Sequence, residues 1–98
     1  MEPGIASPII VEKELISGFH FPREEVLLNA DEIKSRSLAM QRAIRLGNNQ
    51  KRKVKIIFED DQAIKKVETT IWAVTEKNIL LKRGVAVPIN RIHQVSAY

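Results

Sequence analysis

The sequence contains no cysteine, one tryptophan, one tyrosine and only four glycines. Without cysteine there is no disulfide framework and no thiolate nucleophile, which fits a reducing cytoplasm. His20 and His93 are the two histidines; they are too few for a zinc constellation, and neither stands at a metal-motif spacing. They read as structural or surface residues. Gly84 stands in no phosphate-cradling loop, and Ser17, Ser35, Ser37 and Ser96 lack a nucleophile-elbow context. No apolar run approaches the ~20 residues needed to cross a bilayer. Nor does a basic flank precede a long apolar stretch at the N-terminus, so no secretory signal is expected. These absences predict a protein that is not an enzyme, with no cofactor, metal or small-molecule substrate and no membrane partner.

What is present is a chain of 98 residues, 44% apolar and 29% charged. That length supports one domain, burying roughly 65% of its unfolded surface. The net charge of +4 hides a division. Residues 1–32 hold seven acids against two bases, and residues 33–98 fourteen bases against five acids. An acidic lead before a basic body reads either as an arm that folds onto its own domain or as a basic surface kept for a polyanion.

Residues 1–8 contain two prolines and a glycine and read as a mobile tail. From Ile9 to Leu28 the apolar residues come in bursts that hold neither period, which predicts an extended arm, partly mobile, over residues 1–28. Phe19 and Phe21 share one face of it if extended. A helix follows, predicted from Ala30 to Leu46. Asn29 can cap it by accepting the amide of Glu32, and Asp31 and Glu32 complement its positive end. Ile33, Met40, Ala43 and Ile44 form its apolar stripe, with Ser37 and Gly47 completing it, and Gly47 reads as the terminator. Lys34, Arg42 and Arg45 surround Leu38 on the opposite face.

The second half reads as short strands. Val54, Ile56 and Phe58 alternate. Asp60 and Asp61 can turn the chain by bonding nearby amides, so the acidic triplet Glu59-Asp60-Asp61 reads as a hairpin tip. Ile64 to Thr75 is long enough for a bent strand serving two sheets, with Trp72 expected in the core. Glu76-Lys77 and Arg83-Gly84 read as turns, and Pro88 as an edge or a strand end. One helical turn over residues 88–91 then leads into a last strand from Ile92 to Ala97. The predicted fold is α+β: an extended N-terminal arm, one amphipathic helix, and a small antiparallel barrel of about five short strands, with the helix and barrel forming a domain over residues 29–98.

The strand from Lys53 to Glu59, the long strand to Thr75, the Asn78–Lys82 strand, Arg83-Gly84 and the Val87–Ile92 passage resemble the strand pattern of Sm-like and Src-homology-3-type small barrels. The segment from Val67 to Lys77 also resembles a small group of uncharacterised bacterial proteins with this helix-plus-strands layout. Sm-like proteins of the RNA-chaperone type would imply RNA binding and ring assembly.

Among the residues themselves, the basic clusters carry the functional expectation. Lys51, Arg52, Lys53 and Lys55, with Arg42 and Arg45, would present a patch that contacts phosphates. Lys65, Lys66, Lys82, Arg83 and Arg91 would extend it if the hairpin tips share its side. The leading expectation is a cytoplasmic binding module for nucleic acid, RNA above all. The alternative is a protein-interaction module that self-associates or takes an acidic partner through an exposed strand edge. The same lysines also suit a helix C-terminus or the guarding of an edge strand.

Overall fold

Alternation of side chains fixes two sheet faces, and one bend joins them. The computed structural model describes residues 7–50 and 52–97. Most of the expected tail, Lys51 and Tyr98 lie outside the described residues. The strands are β1 (Ile9–Ile10), β2 (Val54–Glu59), β3 (Ile64–Thr69), β4 (Ile71–Val74), β5 (Asn78–Leu81), β6 (Ala86–Pro88) and β7 (Ile92–Ala97), with helix α1 over Ala30–Gln50. Three short helical turns cover Lys13–Gly18, Lys82–Gly84 and Ile89–Arg91.

The first sheet has the order β1-β3-β2-β7 and the second β4-β5-β6. All ladders are antiparallel except β1 against β3, where Ile9 pairs with Lys65 and Ile10 with Lys66 in parallel. The expected long strand is indeed bent. It breaks at Thr70, so that β3 lies in one sheet and β4 in the other. The α+β class therefore stands, but the ladders of the described residues leave the two sheets unclosed. Among the described residues the strands number seven rather than about five, because the bend splits one predicted strand and the arm donates another.

Val54, Ile56 and Phe58 are fully buried, as their alternation predicts, and Val67, Ile71, Ile79, Leu81, Val87 and Ile92 complete the centre of the core. The arm enters this core too. Ile16 is fully buried, and the rings of Phe19 and Phe21 lie 6.3 and 5.9 Å from that of Phe58.

Helix α1 begins as expected, with Asn29 Oδ1 accepting the Glu32 amide at 2.8 Å. It continues past Gly47 to Gln50, since one glycine costs a helix only about 1 kcal/mol and flanking residues can carry it. Its buried face is Arg36, Met40 and Ala43, whereas Ile33 is exposed. Arg36 donates to the Ile92 carbonyl at the start of β7. The helix therefore packs along β7 from its N-terminal half. Pro88 ends β6, an edge strand, as its missing amide requires. Among the described residues no helix is long and apolar enough to cross a membrane.

Candidate functional site

Three of the cations singled out in the sequence or on α1 are engaged in the interior of the fold. Arg36 makes a two-pronged pair with Glu25, Nη1 to Oε2 and Nη2 to Oε1 both at 2.7 Å, and Nη1 also reaches the Ile92 carbonyl at 2.9 Å. The guanidinium holds the Glu25 carboxyl below its ordinary 4.5, helped by the Leu27 amide. Lys65 is buried, its Nζ 2.5 Å from Asp60 Oδ2 and 3.8 Å from the centre of the Phe19 ring. Burial disfavours ionisation of Asp60, but the Lys65 ammonium and the amides of Ala63 and Gln62 outweigh it, and the carboxyl lies below its ordinary value. Arg91 is buried as well, donating to the carbonyls of Glu59 at 3.0 Å and Glu24 at 2.8 Å. Lys65 and Arg91 therefore do not extend a surface patch. Each is a staple within the molecule.

His93 is likewise engaged, its Nε2 2.8 Å from Glu59 Oε1, while His20 is exposed. Asp60 acts as the turn residue the acidic triplet suggested, accepting the amides of Gln62 and Ala63. Among the described residues no group of His, Asp and Glu is placed to hold a metal ion.

The remaining cations divide into two sets. Lys53 lines a shallow groove with Ile10, Val11, Glu12, Lys13, Glu14 and Glu68. Lys55 lies on the outer face of β2, opposite Glu68 of β3 and Ser96 of β7. Both therefore stand among carboxylates. Arg42, Arg45 and Arg52 form the second set by their exposure alone. The start of β2 meets the ends of β3 and β7, where Val54 is in register with Thr69 and Ala97. Arg52 leads into that end of the sheet, while Arg42 and Arg45 lie on α1, which packs against β7 and β4.

Thr70, at the bend, draws this end together. Its hydroxyl donates to the Arg52 carbonyl at 3.4 Å, and its own carbonyl accepts the Lys82 amide at 3.2 Å. Lys82 opens the tight turn to β6, closed by the Leu81 amide on the Val85 carbonyl at 2.7 Å. Arg83 and Gly84 both take left-handed backbone conformations, with φ of 70° and 80°. Glycine bears this freely, but arginine pays for it. Lys82 and Arg83 are exposed at its tip.

Trp72 completes the neighbourhood, and it is not where the sequence reading expected it. Trp72 is 53% exposed. Ile71 pairs with Leu81 and Ala73 with Leu80, so Trp72 is the extra residue of a bulge. Ile71 takes the inward slot, and the bulge turns Trp72 outward. The tandem Ile-Trp-Ala is apolar throughout, and composition alone could not say which member faced water.

No protein-family model matches this chain, and the searches of curated proteins and of solved structures return no match.

Proposed function

We propose that this chain is a non-enzymatic, cytoplasmic nucleic-acid-binding module, with RNA as its main ligand, and that phosphates are met at the Thr70 bend. The observation that carries this reading is the pair of hydrogen bonds by which Thr70 brings Arg52 and Lys82 to one place. Arg83 follows Lys82 in the turn and also acts on Glu14, Arg42 and Arg45 add exposed charge from α1, and Lys53 and Lys55 stand beside Glu12, Glu14 and Glu68. The phosphate set is thus Arg42, Arg45, Arg52, Lys82 and Arg83, a revision of the run from Lys51 to Lys55. Arg83 strengthens the reading, because a long cation held at positive φ is kept at a backbone cost that asparagine or glycine would avoid. The resemblance to Sm-like small barrels, with a strand bent across two sheets and a helical turn before the last strand, points to RNA as well.

Binding measured against salt tests this. Wild-type affinity for a polyanionic strand falls steeply as salt rises, and Arg52→Glu with Lys82→Glu lowers the magnitude of the log–log slope by about 1.4, two single-strand phosphates' worth. Lys53→Glu leaves it nearly unchanged. A slope indifferent to Arg52 and Lys82 overturns the assignment.

A further inference from the structure

Single-strand preference requires a face on which an unstacked base can lie, and one such face adjoins the cations. Resting on the nucleic-acid reading above, we infer that Trp72 is a stacking platform that makes this module a binder of single strands, tolerant of base sequence. Trp72 lies two residues beyond Thr70, so its Cα is about 6–7 Å from the atoms that gather Arg52 and Lys82. It also shares the solvent face with Lys82: Ile71 and Leu81 pair inward, and the residues flanking them, Trp72 and Lys82, are both exposed.

The floor beside the indole is low. Across the second sheet the outward row is Ala73, Leu80 and Ala86, in register from β4 to β5 to β6. Two alanines and a half-buried leucine leave the ring open along the sheet. A base has a π face to offer such a ring only when its own neighbours do not cover both sides, which a single strand permits and a duplex does not. Lys82 on the same face, with Arg83 next to it in the turn, gives charge complementarity to the strand's phosphates without reading bases, so affinity follows stacking strength and not sequence. A run of acidic residues would match the charge but offers no aromatic face to the indole, and for this reason the nucleic acid is the occupant assigned.

Trp72 is the only tryptophan of the chain, and its fluorescence reports this face directly. The experiment titrates the full chain with oligo-uridine, oligo-deoxythymidine, a duplex of equal length and poly-glutamate. Quenching by both single strands, with Trp72→Ala losing about 5-fold to 150-fold in single-strand affinity as read from the anisotropy of an end-labelled strand, supports the inference. Rescue by Trp72→Phe and unchanged duplex binding complete it. Matched uridine and deoxythymidine affinities leave the sugar unread; a uridine excess assigns the face to RNA, still through stacking. If strands and duplex bind alike and Trp72→Ala changes nothing, the platform is wrong while the phosphate site survives. If poly-glutamate moves the fluorescence as strongly as the strands do, the face is a protein-docking surface and the inference falls. Absence of any nucleic-acid binding at low salt overturns both readings together. Far-ultraviolet dichroism of each variant separates these outcomes from misfolding.

Discussion

Arg36 decides how α1 sits on the sheet, and it illustrates what a residue type conceals. Its guanidinium gives two hydrogen bonds to Glu25 and one to Ile92, while its Nε is buried without a partner. The partners are 11 and 56 residues away in sequence. Nothing local distinguishes such an arginine from the solvated Arg42. One signal was available: Arg36, Met40 and Ala43 recur at helical spacing, so Arg36 lies on the very stripe that was read as apolar. Removing one member of a buried pair leaves the other uncompensated. Arg36→Ala is therefore expected to cost about 3 kcal/mol, toward the low end because Glu25 keeps some contact with water. Urea denaturation at neutral pH measures it. The same contacts fix the acid limb. Glu25 and Asp60 have folded-state values below their ordinary 4.5 and 3.8. Their contributions are complete above those ordinary values and are lost as pH falls through the lower folded ones. Stability should be level from pH 7 to about 5 and decline below, and Glu25→Gln should shallow that decline while lowering the plateau.

Elements were more legible than residues wherever one period ran unbroken. The alternation of Val54, Ile56 and Phe58 gave β2, Asn29 with Glu32 gave the start of α1, and the residues from Ile64 to Thr75 gave a strand too long for one sheet. Each of these rests on contacts within a few residues. By contrast, the end of α1 was misplaced because a single glycine costs a helix only about 1 kcal/mol and does not by itself end it. The pairing of β1 was beyond reach, since a two-residue strand carries no period at all. The turn between β5 and β6 offers a test at this scale. Arg83 occupies a left-handed conformation that asparagine tolerates better, so Arg83→Asn should raise stability by about 0.5–1 kcal/mol. Thermal unfolding would show the gain, and the salt dependence of strand binding would weaken by about one phosphate contact. A variant both less stable and unchanged in binding would contradict the turn's assignment.

At the scale of the molecule, the acidic lead and the basic body are one packed object. The radius of gyration is 12.5 Å, against about 12.6 Å for a compact chain of this length. The segment from Arg23 to Val26 is pinned by Asn90 and Arg91: the Asn90 side chain donates to the Arg23 carbonyl at 2.6 Å, and the Val26 amide to the Asn90 carbonyl at 2.9 Å. Deleting residues 1–28 is therefore expected to unfold the chain, not to bare a stable basic domain. Ile16→Ala alone should cost about 3 kcal/mol, read from the denaturation midpoint. The charge division in the sequence is better probed by Glu12→Gln with Glu14→Gln. Lys53 shares their groove, and Lys13, with a smaller part from Arg83, draws on Glu14. That pair of changes should raise polyanion affinity modestly at low salt, as shown by fluorescence titration.

The parallel pairing of β1 with β3 has a kinetic consequence. Its partners are more than fifty residues apart, and closing a loop of that size costs roughly 3–4 kcal/mol in chain entropy. Two residues of ladder cannot offset this, so β1 must wait until Ile16, Phe19 and Phe21 settle on a preformed β2–β3 hairpin. Until then the outer rim of β3 is bare and sticky, and refolding yield should drop as protein concentration rises, with the arm locking in last.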